Sequence, residues 1–162
     1  MNIRIPVVRE GEAYGLPLPG YQTVGAVGMD LYAAEDTVIC PGQCISIGTG
    51  LRIAVPQGYE AQIRARSGLA LKRKIIIPNG PGTIDSDYRG EIRVILMNLG
   101  DRPFAIDRGD RIAQMVLAPV VRGFWEEVDE LDTTVRGLGG FGSTGGAAVH
   151  NRREGQEDDD PS

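Results

Sequence analysis

Histidine is almost missing: one occurs in the 162 residues, at position 150, so any general base here is a residue of another type. Cysteine is nearly as scarce. Cys40 and Cys44 flank a Pro41-Gly42-Gln43 turn; two cysteines make no disulfide framework, and no second Cys/His pair exists for a zinc site. They are expected to be reduced, partly buried small hydrophobes. Positive charge is in deficit, with 17 Lys and Arg against 22 Asp and Glu and a formal net charge of −5. That balance argues against a nucleic-acid partner held by a broad basic surface. No apolar run approaches the roughly 18 to 20 residues of a membrane span. The N-terminus, Met1-Asn-Ile-Arg-Ile-Pro-Val-Val, lacks the apolar core and small-residue cleavage site of a secretory signal. A cytoplasmic protein with no membrane partner is the expectation.

Glycine and proline are plentiful instead, at 23 and 10, and long helical periodicities are few, which points to short strands joined by tight turns. Residues 3–9 read as an edge strand, because Pro6 cannot donate into a ladder. Further strands are expected at 29–33, 37–40, 44–47, 50–55, 59–66, 75–77, 91–98, 103–106 and 111–121, an all-β pattern that suits a barrel or sandwich. One helical turn is expected over Ser67 to Lys74, with Ser67 as its N-cap. The folded domain is expected to span 1–135 and a Gly-rich arm 136–146. The acidic tail, 147–162, has the composition of disorder. From Gly145 to Ser162 two arginines stand against five acids, a net of −3 that leaves −2 for residues 1–144.

Chemistry concentrates in five short stretches. Asn79-Gly-Pro-Gly-Thr-Ile-Asp85-Ser-Asp87-Tyr88-Arg89-Gly90-Glu91 places two carboxylates, a phenol and glycines between strand-like runs. Such a hairpin suits main-chain reading of a flat polar ring, with Asp85 activating water and Tyr88 closing an apolar wall; it equally suits a turn whose acids are merely solvated. In Val27-Gly28-Met29-Asp30-Leu31-Tyr32 a carboxylate sits among apolar neighbours, where it needs a salt bridge, a turn to cap or a hydrated Mg²⁺. Arg66-Ser67-Gly68-Leu69-Ala70 ends a strand and opens a helix, which makes either an anion site or an ordinary cap. In Arg108-Gly-Asp-Arg-Ile-Ala-Gln114 the neutral amide of Gln114 suits orienting a water or touching a phosphate, while Asp110 and Arg111 are expected to pair with each other. Arg136 to Gly145, with Phe141, Gly142, Ser143 and Thr144, holds the contents of a phosphate-binding lid or of a flexible linker.

Together and in this order, Gly28-Met-Asp-Leu-Tyr-Ala33, Arg66-Ser-Gly-Leu-Ala70, Gly82-Thr-Ile-Asp-Ser-Asp-Tyr-Arg-Gly90, Arg108-Gly-Asp-Arg-Ile-Ala-Gln114 and Arg136-Gly-Leu-Gly-Gly-Phe-Gly-Ser-Thr-Gly145 closely resemble the homotrimeric dUTP diphosphatase (dUTPase) family. The resemblance implies a jelly-roll-like β-barrel, a threefold homotrimer and three active sites shared between subunits. It implies hydrolysis of dUTP to dUMP and diphosphate, by in-line attack of an Asp85-activated water on the α-phosphorus, with Gln114 placing that water. It also implies Mg²⁺ held by the three phosphates and, through water, by Asp30. Ser67 and Gly68 would meet the phosphates near the scissile bridge, and Arg66, Arg136, Ser143 and Thr144 the outer oxygens. Asn79 with the main chain of Gly82, Thr83, Ile84 and Asp85 would read uracil, Tyr88 would exclude a ribose 2′-OH, Phe141 would cap the base, and Arg93 would touch the ligand. Such an enzyme keeps uracil out of DNA and supplies dUMP for dTMP synthesis. A dCTP deaminase of the same fold and a non-catalytic, nucleotide-binding regulatory trimer are the alternatives.

Overall fold

The computed structural model describes residues 3–140. In chain order its strands are β1 (Val7–Arg9), β2 (Met29–Tyr32), β3 (Thr37–Ile39), β4 (Cys44–Ile53) and β5 (Tyr59–Arg64). A 3-10 turn (Gly11–Ala13) lies between β1 and β2; the single α-helix among the described residues, α1 (Ser67–Arg73), follows β5, and then come β6 (Ile75–Ile76), β7 (Gly82–Ile84), β8 (Glu91–Asn98), β9 (Phe104–Ile106) and β10 (Arg111–Pro119). Every pairing is antiparallel. One sheet runs β1-β4-β8-β6, the other β2-β10-β5-β7, and β3 pairs with β9 alone. This is the all-β, jelly-roll-like architecture expected, with one short helix. No helix among the described residues is long and apolar enough to cross a membrane.

Alternation along the strands builds the core. On β8, Ile92, Val94, Leu96 and Asn98 point inward and are at most 1% exposed, while Arg93 faces out, the period of two that a half-buried strand requires. Leu31, Ile39, Ile47, Ile75, Ile106 and Ile112 are among the other side chains buried with them. Each such side chain contributes about 1.5–3 kcal/mol of burial. The buried amide of Asn98 is satisfied: Nδ2 donates to the carbonyls of Ile39 (2.9 Å) and Arg102 (2.8 Å), and Oδ1 accepts from Gly100 N (2.8 Å).

Four local expectations change. Residues 44–47 and 50–55 are not two strands. They form β4, which continues through an irregularity between Gly48 and Arg52. Two carboxylates make this break tolerable: Glu35 Oε1 accepts from Gly48 N (2.7 Å) and Glu91 Oε1 from Gly50 N (2.8 Å). Gly50 has φ +61, and a Cβ there would sit 2.6 Å from Ala13 Cβ. Second, Gly82–Ile84, read as part of a hairpin loop, is β7. The flanking runs β6 and β8 do pair, but the segment between them leaves for the other sheet and pairs with β5. Third, Ser67 is the first helical residue; Arg66 holds the cap position without a side-chain cap bond. Fourth, Cys40 and Cys44 are free, as expected, but exposed rather than partly buried.

The chain divides into two compact units, Met1–Arg122 and Gly123–Ser162. In the second, the described residues form turns, with Gly137 N donating to Thr134 O (3.0 Å) and Gly139 N to Arg136 O (3.0 Å). Phe124, Trp125, Leu131, Val135 and Leu138 there are all at least 84% exposed.

Candidate active site

β5 delivers its last residues to the start of α1, and cations gather at this junction. Arg66, Ser67, Gly68, Lys72, Arg73 and Gln114 surround a cavity of about 260 Å³ that no acid lines. Amides in the first turn of a helix lack intrahelical partners, and no atom lies within 4 Å of where a Gly68 Cβ would stand. Three cations and open N–H groups suit a polyanion. Lys72 and Arg73 escaped the sequence reading. Their spacing of four from Gly68 and Leu69 on a helix was the signal that places them on the same face.

Gln114 is held from both sides. It lies opposite Asp30 of β2 and Arg64 of β5, and a Cβ on Gly28 would come within 3.3 Å of its side chain. Beside it Asp30 is 1% exposed. Its Oδ2 accepts from Arg111 Nη1 at 3.2 Å. Arg66 Nε lies 3.2 Å from Oδ1, yet off line for a hydrogen bond, so that oxygen is buried with an ionic contact and no hydrogen bond. A spare acceptor of this kind fits a water of a hydrated Mg²⁺. It also shows that Arg111 pairs with Asp30 and not, as expected, with Asp110. Asp110 Oδ2 instead accepts from Asp107 N (3.1 Å) within the preceding turn. Arg108 is structural, donating to the carbonyls of Glu12 and Tyr14.

Asp85 stands elsewhere. It is exposed just beyond β7, where Asp85, Ser86 and Asp87 face Tyr59, Glu60 and Arg122 across a cavity of about 650 Å³. Tyr88 N donates to Asp85 O (3.2 Å), closing the turn, and Tyr88 Oη donates to Glu91 O (3.0 Å). The Tyr88 ring lies over Gly90, where a Cβ would overlap the ring atoms. Asn79 is exposed with its amide over Gly82, and Gly82 packs closely on Ile63, where a Cβ would lie 3.3 Å from Ile63 Cβ. Thr83 is exposed and Ile84 half-buried.

The register measures the separation. Gln114 is opposite Arg64, and Ile84 is opposite Ala61, so Asp85 falls four rungs along and two strands across from Gln114. At standard strand spacings that is about 13 Å by about 10 Å, or about 16 Å in all. Within one chain the two catalytic candidates do not meet. Arg93 joins neither group. It sits on the other sheet with Nη1 on Glu91 Oε2 (2.9 Å), Nη2 near Glu35 Oε1 (3.3 Å) and Nε on Ser46 Oγ (3.0 Å), and the Glu91 bond raises its pKa. Within the chain these contacts brace the β4 irregularity. Arg136 Nε donates to Gly139 O (2.8 Å) within its own unit. Phe141, Gly142, Ser143 and Thr144 lie outside the described residues, as does the tail 147–162.

The fold is a jelly-roll-like β architecture that carries an acid-free cationic cavity beside Gln114 and an exposed carboxylate, Asp85, further along the same sheet. The dUTPase family model matches residues 15–145, and the chain belongs to that family. It is 54% identical over 145 residues to a deoxyuridine 5'-triphosphate nucleotidohydrolase of Anaplasma marginale, covering 88% of this chain and 99% of the relative. A protein of the same name from Zymomonas mobilis is 53% identical over 145 residues, with 90% and 99% covered. Among solved structures, the Staphylococcus bacteriophage 80alpha dUTPase G164S mutant with dUpNHpp shares the fold. Its TM-score is 0.80 at 24% identity, over 89% of this chain and 99% of that one.

Proposed function

We propose that this chain hydrolyses dUTP to dUMP and diphosphate in sites assembled between copies of itself. The observation that carries the reading is the separation of about 16 Å between Gln114 and Asp85. In a dUTPase chain such a gap calls for the cationic cavity of one subunit and the Asp85 turn of a second to enclose one substrate. The exposed Phe124, Trp125 and Leu131 support a homotrimer, because large apolar side chains so uncovered are suited to burial against another copy.

In that site Asp85 takes a proton from water as the water oxygen bonds to the α-phosphorus, and the bond to the bridging oxygen breaks to release diphosphate. Gln114 holds the water. Arg66, Ser67 and Gly68, joined by Arg136, Ser143 and Thr144 of the arm, neutralise phosphate charge. The protein contributes positioning and fixed charge rather than covalent chemistry. The spare Asp30 oxygen would hold a hydrated Mg²⁺ through water, and the ion would supply further neutralisation of the triphosphate. Asn79 and the backbone of Gly82–Asp85 read uracil, Phe141 caps it, and Tyr88 walls the sugar. Polar groups left unpaired by a wrong base account for discrimination of about 10⁴ to 10⁵ in sites of this design. The reaction keeps uracil out of DNA, yields dUMP for dTMP synthesis and belongs in the cytoplasm.

The test is diphosphate release from dUTP, dCTP, dTTP and UTP, with and without Mg²⁺, by the wild type and Asp85→Asn. Turnover of dUTP alone, collapsing in Asp85→Asn, is the expected result. Ammonia release from dCTP, or no turnover by a folded trimer, overturns the proposal.

A further inference from the structure

Three elements meet at Asp30: β2 carries it, the β5–α1 junction supplies Arg66 and the first residue of β10 supplies Arg111. The contacts form a closed ring. Arg111 Nη1 donates to Asp30 Oδ2 (3.2 Å), Asp30 Oδ1 contacts Arg66 Nε (3.2 Å), and Arg66 Nη1 donates to the Arg111 carbonyl (3.1 Å). The register of β2 and β10 shifts between Arg111 and Ala113, and such an irregularity re-aims the side chains beside it.

Charge accounting gives the ring its consequence. Asp30 is 1% exposed, and a buried carboxylate claims a cation. With Arg111 absent, Arg66 is the remaining cation of the ring, and a guanidinium facing a lone carboxylate turns to a two-pronged contact. The pair is then neutral and the cavity beside Ser67 and Gly68 loses the Arg66 charge. With Arg111 present, the ring carries net +1. Arg66 touches Asp30 through Nε alone, spends one Nη1 hydrogen on a carbonyl, and keeps three N–H groups of its five for an anion.

We infer that Arg111 is a positioning residue for the triphosphate: it neutralises Asp30 and thereby leaves the charge and free donors of Arg66 to the phosphates. It does so without touching substrate. The inference rests on the function proposed above, and its test reads binding as well as turnover, so the two fail separately.

The measurements are Mg²⁺-free affinity for the α,β-imido analogue of dUTP, affinity for dUMP, and kcat/KM for dUTP. They are made on the wild type, Arg111→Gln, Arg111→Lys and Asp30→Asn/Arg111→Gln, each checked for an intact fold by circular dichroism. Arg111→Gln is expected to weaken the analogue by about tenfold to a hundredfold, the range for losing a supporting partner of a binding group, with dUMP affinity unchanged. Arg111→Lys recovers most of the loss. The double variant also recovers analogue affinity, because a neutral residue 30 no longer claims Arg66. A merely structural role gives the opposite pattern, lower stability that accumulates in the double variant with normal analogue binding throughout, and that pattern overturns the inference. If wild type binds the analogue yet leaves dUTP intact, the proposed reaction falls, and the same binding series still decides for or against Arg111.

Discussion

Replacing Gly90 by alanine tests whether the Tyr88 ring is a working wall. A Cβ at position 90 would lie 2.6 Å from Tyr88 Cζ and 3.0 Å from Cε2, closer than carbon atoms approach, so the ring must move. Tyr88 is 43% exposed, and solvent is the open direction. Swinging out breaks the Oη bond to Glu91 O, about 1 kcal/mol, and uncovers part of the ring, about another 1 kcal/mol at 25 cal/mol per Å². Against this, alanine restricts the unfolded chain and returns about 0.4–1 kcal/mol. The net loss is about 1–1.5 kcal/mol, a fall in Tm of about 2–6 °C for a chain of this size. The functional loss should be larger in kind. With the wall displaced, kcat/KM for UTP relative to dUTP should rise by about tenfold or more, the worth of one apolar contact in a specificity pocket. Tyr88→Phe is the control, since it deletes the hydroxyl and leaves the ring, and its UTP to dUTP ratio should stay at the wild-type value. Thermal melts and steady-state kinetics on the three proteins make the comparison. An unchanged ratio in Gly90→Ala, with the ring shown displaced by its near-ultraviolet dichroism, refutes the wall.

Gly50→Ala should cost more than about 2 kcal/mol, because its φ is +61 and a Cβ would strike Ala13 Cβ at 2.6 Å and Glu10 O at 2.7 Å. Urea denaturation reads this, and a loss under about 0.5 kcal/mol would show that the segment Glu10–Ala13 yields easily. Deleting residues 148–162 should leave turnover unchanged, since their composition forms no core, whereas ending the chain before Arg136 should nearly abolish turnover and leave the oligomer intact by light scattering. Normal hydrolysis by the shorter protein would remove the arm from the site.

Much of the site was legible because its chemistry is written locally. Asp30 between apolar neighbours announced a buried carboxylate in need of a partner, and Arg66-Ser67-Gly68 announced the end of a strand and the start of a helix. Pro6 marked an edge, and β1 indeed pairs on one side only, with β4. The Asp110–Arg111 pairing was misread because partners are chosen across strands. Asp110 adjoins Arg111 in sequence, yet the strand pairing Gln114↔Asp30 puts Asp30 within reach instead. Strand pairing likewise brings Arg93 of β8 beside Glu35 as well as Glu91.

By itself the amino-acid sequence determined the strand-rich class, the positions of most strands, the single helix and the residue types available for acid–base and phosphate chemistry. Those follow from periodicity, turn residues and local charge, which depend on neighbours a few positions away. Only the tertiary structure decided that β4 continues as one strand through its irregularity at Gly48–Arg52, that Gly82–Ile84 becomes a strand, that Asp30 takes Arg111 and Arg66 as partners, and that Asp85 stands apart from Gln114. Each of these is set by pairing between residues from 13 to 81 positions apart in the chain. Such pairings depend on which strands meet, at what register and with what left to bury, and no short stretch of sequence carries that information.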